Sequence, residues 1–137
     1  MQPFKITIMR LLKVIILIIS FTSGVILSNT YRDYAYRNHL SDFGLADSGT
    51  NIFVVISLVQ IFSVFNIRVS HNRVIDIIMI GSFYIIIEIC NIYFDFIGTY
   101  DTKDIIAYLI GTVISVVLLF LTDKPEITAF KKDGFKA

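Results

Sequence analysis

At 137 residues, 55% of them hydrophobic, and with a net charge of +1, the chain is too apolar for a soluble domain with a mixed surface, as its mean hydropathy of +0.76 also indicates. The near-neutral charge lacks the clustered Lys/Arg footprint of a nucleic-acid binder, so nucleic acid is not an expected partner. The single cysteine, Cys90, has no partner for a disulfide or a Cys-based metal site within one chain, and its expected role is packing. No metal or cofactor is expected.

Four apolar runs follow one another, at about 11–28, 52–67, 74–96 and 105–122. At roughly 20 residues per bilayer crossing they use about 80 residues, which leaves short loops and no room for a separate soluble domain. The expected fold is therefore all-α, one domain over residues 1–137, an antiparallel up-down bundle of four transmembrane helices. The first run follows Lys5, Arg10 and Lys13 and is read as an uncleaved anchor, because Ser28 and Ile26 fit a signal-peptide cleavage site poorly. The second is interrupted by Ser57, Gln60, Ser63 and Asn66. The third carries Asp76, Gly81, Ser82 and Glu88. The fourth is closed by Thr122-Asp123-Lys124-Pro125, where proline blocks easy continuation. Ile/Val richness favours strands in general. These runs are too long, and their polar residues too scattered, for membrane strands, and only helices satisfy their own backbone in lipid without that alternation.

Orientation follows from the basic residues, which gather on the cytoplasmic side. With four spans, nine of the 12 Lys and Arg lie on the side of both termini, while Arg32, Arg37 and Lys103 lie on the other. Both termini are thus expected in the cytoplasm of an inner-membrane protein. Tyr31, Tyr34, Tyr36, Tyr93 and Tyr100 then fall near the outer boundary, where amphipathic rings are favoured.

The most informative stretch is the hairpin between the third and fourth runs. Glu88, Asn91 and Asp95 are spaced i, i+3, i+7, one helical stripe; Asp104, Tyr108 and Gly111, at i, i+4, i+7, form another. The short turn around Ile97-Gly98-Thr99-Tyr100 makes these helices neighbours. If the stripes face each other, Glu88, Asn91, Asp95, Asp101, Asp104 and Tyr108 line an outward-facing acidic pocket. An ionisable residue at membrane depth is a functional-site hypothesis by default. Glu88 lies about 20 Å along its helix, so it must be protonated, hydrogen-bonded or reached by water. The plainer readings stand beside this one: Glu88 as a hydrogen-bonding acid between helices, Asp101 and Asp104 as caps of the fourth helix. Gly111, Gly81 and Gln60 are read as helix-packing positions.

In this hairpin the chain resembles the VanZ-like membrane proteins. Glu88-x-x-Asn91 and Asp104-x-x-x-Tyr108-x-x-Gly111 keep the order of that family's C-terminal helix pair, over about 30 residues. Asn91 stands where Gln is usual, Tyr108 where a smaller amide is common, and Thr99 rather than Arg follows Gly98. The resemblance implies a role at the envelope, with teicoplanin-type antibiotic resistance as the family's association.

The other residues offer little chemistry. His39 and His71 fall on opposite sides and cannot share a metal, and the serines of the apolar runs have no His/Asp arrangement to activate them. The leading reading is a non-enzymatic protein whose outward acidic pocket engages a glycopeptide or a lipid head group. The alternative is a small oligomeric pore, or the membrane subunit of a larger complex such as a phage-defence or immunity system. An enzyme acting on lipid-linked substrates ranks third, because only Lys103 is at hand to meet a phosphate.

Overall fold

The structure is a computed structural model that describes residues 2–93 and 99–122, with side chains from residue 8. Asp95 and most of the turn at 94–98 lie outside the described residues, as does the chain beyond Thr122. All regular structure among the described residues is helical and falls into four rods. The first comprises α1 (Gln2–Ile26), a single π-helical turn (Leu27–Tyr31) and α2 (Arg32–Arg37); the others are α3 (Leu45–Val64), α4 (Arg73–Cys90) and α5 (Thr102–Thr122).

The ends of these rods differ from the apolar runs, for local reasons. The first helix does not stop at Ser28, because the π turn carries it through Ser28-Asn29-Thr30; the N–H of Arg32 reaches back five residues to the carbonyl of Leu27. α3 starts seven residues before the expected Ile52. Asp42 supplies its start signal, its carboxylate accepting the N–H groups of Gly44 at 3.1 Å and Ala46 at 2.8 Å. Gly44 sits at φ +89°, a left-handed turn that favours glycine. α4 begins at the N-cap Asn72, whose side chain accepts the N–H of Val74 at 2.9 Å. Where α3 ends, Arg73 gathers the chain by donating to the Ile67 carbonyl at 2.9 Å and to Asn66 Oδ1 at 2.7 Å.

Among the described residues, three helical segments are long and apolar enough to cross a membrane: Ile8–Arg37, Leu45–Val64 and Thr102–Thr122. The described part of the run expected at 74–96 is helical over Arg73–Cys90, and that helix is not among them. In 18 residues it carries Arg73, Asp76 and Glu88.

α3 lies between α1 and α5, and α4 packs on α5. Small residues set the approach, as expected where lipid removes the hydrophobic drive between helices. Ser20 and Ser57 share a hydrogen bond of 2.9 Å between α1 and α3. A Cβ on Gly24 would lie 3.3 Å from Phe53 Cβ, and one on Gly111 would lie 2.7 Å from the Ile52 carbonyl oxygen. Gly81 faces Thr112 across the α4–α5 contact. Val55, Val59, Ile77 and Leu119 form the core, and Tyr84 and Tyr108 pack against it. Gln60 is buried, and its Oε1 has no hydrogen-bond partner. Asn66 and Asp76 serve the α3–α4 loop: Asn66 accepts from Arg73, and Asp76 accepts the Ser70 N–H at 2.6 Å.

Candidate ligand site at the end of the bundle

Glu88 occupies the last turn of α4 and is only 4% exposed. Its Oε1 accepts the backbone N–H of Asp101 at 2.8 Å, and its Oε2 accepts Asn91 Nδ2 at 3.3 Å. Asp101 precedes α5 and caps it, with Oδ1 accepting the Lys103 N–H at 2.9 Å. A chain of three groups thus ties the end of α4 to the start of α5. The burial of Glu88, costly for an unpartnered acid, is met by two N–H donors.

Beside this tie, two acceptors are left over. Asn91 is buried, and its Oδ1 has no hydrogen-bond partner. Asp104 is half-buried in the first turn of α5. Tyr108, one turn further along, stacks on Tyr84 with ring centroids 5.2 Å apart and planes at 20°, and both Asp104 and Glu88 lie within electrostatic reach of it. Glu88, Asn91, Asp101, Asp104 and Tyr108 are therefore brought to one corner. Gly111 lies elsewhere, on the contact with α3.

A second polar group, not singled out in the sequence, lies at the same end. Asp47 accepts a hydrogen bond from Tyr36 and pairs with Arg32 at 3.6 Å, while the Arg32 guanidinium lies 5.7 Å from the centre of the Tyr36 ring. Desolvation acts to raise the pKa of the nearby Asp42 carboxyl, but the Ala46 and Gly44 N–H groups and the Tyr31 hydroxyl outweigh it. The group is held below the ordinary carboxylate value. The signal for this cluster was present in the alternation of Tyr, Arg and Asp between residues 31 and 47, which reads as a solvated loop when α3 is started at Ile52.

Among known proteins, no family model, curated protein or solved structure matches this chain.

The geometry therefore has to carry the chemistry. Among the described residues no three His, Cys, Asp or Glu side chains are grouped to hold a metal ion. His39 and His71 are both exposed. With Glu88 and Asp101 committed to holding the corner, the groups left to meet a ligand are two acceptors, Asn91 Oδ1 and the Asp104 carboxylate, and the Tyr108 hydroxyl, which can also accept. Such a set suits a donor, above all an ammonium group.

Proposed function

We propose that this is a multi-pass inner-membrane protein, an antiparallel bundle with both termini in the cytoplasm. Its outward end engages an amine-bearing envelope ligand, a glycopeptide or a lipid head group, without converting it chemically. The observation that carries the reading is the α4–α5 corner, where Asn91 Oδ1 is buried without a donor next to Glu88, and Asp104 stands in the first turn of α5. What supports the layout is the order of contacts. Ser20 meets Ser57 while Gly24 meets Phe53, and Glu88 meets Asp101 while Gly81 meets Thr112, so rising numbers on one helix pair with falling numbers on the other. What supports the orientation is the basic excess on the side of both termini.

The VanZ-like resemblance enters this reading through Glu88, Asn91, Asp104, Tyr108 and Gly111 alone. The test uses the purified protein with teicoplanin and its N-acetylated form. Binding should weaken roughly ten-fold on N-acetylation and by a similar factor in Asp104→Asn, the scale of one lost charge-assisted hydrogen bond. Equal binding of both forms would remove the amine from the account.

A second reading, a subunit of an oligomeric pore or of a larger membrane complex, is favoured by a cleft of about 380 Å³ on the flank of α1 and α3. Phe21 and Val25, both exposed, line it with Val54 and Leu58, an apolar surface that a second helix could cover. The mass of the detergent-solubilised protein, compared with that of Phe21→Ser at an exposed position of the cleft, separates this reading from a monomer.

A further inference from the structure

A groove of about 270 Å³ opens between α3 and α5 at the same end of the bundle. That is about nine water volumes. Asp42, Gly44 and Lys103 stand at its mouth, Ser48 in its wall, and Ile52 and Ile110 along its floor. Lys103 lies across Gly44: a Cβ added there would meet Lys103 Cδ at 2.6 Å and Nζ at 3.0 Å. The missing side chain of Gly44 is what lets the ammonium reach the mouth. Ser48 is 5% exposed, and its Oγ has no hydrogen-bond partner, although a helical serine can turn its hydroxyl back to a carbonyl one turn earlier. A buried hydroxyl left open in the wall of a groove asks for a partner from outside the chain.

The groove is amphipathic along its length. Its mouth carries one cation and one anion. Its floor runs from Lys103 to Ile110, about 10 Å along α5 towards the middle of the span. Ile106, which also lines it, is exposed and extends the apolar track. A soluble anion would use the mouth and leave the floor empty, and an acyl chain alone would use the floor and leave both charges and the hydroxyl unmet.

We propose that this groove binds a phospholipid with an ammonium-bearing head group, its phosphate on Lys103 and Ser48, its ammonium on Asp42 and an acyl chain along Ile52 and Ile110. Asp42 remains ionised for this purpose, because the N–H groups that cap α3 through it also stabilise its charge. The assignment rests on the membrane placement proposed above, but not on the acidic corner, none of whose residues lines this groove.

The experiment is native mass spectrometry of the full chain released from nanodiscs of equimolar phosphatidylethanolamine and phosphatidylglycerol. The wild type should retain one phosphatidylethanolamine in preference. Lys103→Gln, an exposed position, should lower that retention roughly five-fold, the scale of one basic contact at a membrane surface. Asp42→Asn should abolish the preference between the two lipids. Circular dichroism matching the wild type establishes that these variants fold, and Asp104→Asn should retain lipid as the wild type does. Equal retention of both lipids by the wild type would overturn the proposal, as would unchanged retention in Lys103→Gln. Loss in Asp104→Asn but not in Lys103→Gln would move the lipid to the acidic corner. Displacement by millimolar phosphoethanolamine, which has no acyl chain, would show that the floor plays no part and would overturn the lipid assignment.

Discussion

Glu88 Oε1 accepts the backbone N–H of Asp101 at 2.8 Å, thirteen residues further along the chain and across the corner between α4 and α5. An acid that sequence reasoning places in a binding pocket is thus first a positioning residue. It holds the residue that caps α5, and through that cap it sets where Asp104 and Tyr108 stand.

Loss of this tie should be visible in stability. Glu88→Gln keeps an acceptor for Asp101 and should cost little. Glu88→Leu leaves the Asp101 N–H and Asn91 Nδ2 without a partner and should cost about 1–3 kcal/mol. Thermal unfolding in detergent checks the difference, and equal midpoints for the two variants would contradict it.

Gly111 gives a packing test. Because a Cβ there would lie 2.7 Å from the Ile52 carbonyl oxygen, backbone must shift to admit any side chain. Gly111→Ala should therefore lose about 1–3 kcal/mol, the range for overpacking. Val113, on the same helix but 63% exposed, should accept Leu with little change. The measurement is the shift in unfolding temperature of each variant in the same detergent.

The Asp42 carboxyl sets a pH dependence. Its folded pKa lies below the ordinary value, so the stabilisation it supplies is present above about pH 4 and is lost as the pH falls through the lower, folded value. Unfolding midpoints followed from pH 7 down to pH 2 should show the wild type above Asp42→Asn at neutral pH. The two should converge only below about pH 4; parallel curves throughout would contradict the assignment.

The helical membrane class was legible because long runs such as Ile105–Leu121 contain nothing that another architecture could use. The stripe of Glu88 and Asn91 was legible too, since three-residue spacing on a helix is local, and the two do bond. The partner on Oε1 was not. A backbone N–H carries no residue identity, and it meets Glu88 only because the turn brings the chain back. The start of α3 was missed because Ala46-Asp47-Ser48-Gly49 reads as a polar loop unless Asp42 is recognised as the residue that satisfies the first N–H groups of a helix. Lys103 was visible as the one basic residue near the hairpin, yet its place over Gly44 depends on how α3 and α5 sit together, which no local pattern encodes.

The measurement that tests the central claim most directly is labelling of intact cells with a membrane-impermeant maleimide, in a Cys90→Ala background. Ser41→Cys and His71→Cys place a thiol at exposed positions, one in the loop before α3 and one in the loop after it. The account predicts that Ser41→Cys reacts from outside, whereas His71→Cys reacts only after permeabilisation. The reverse pattern would put the acid-rich end in the cytoplasm, and with it the corner around Glu88 and the groove beside Lys103.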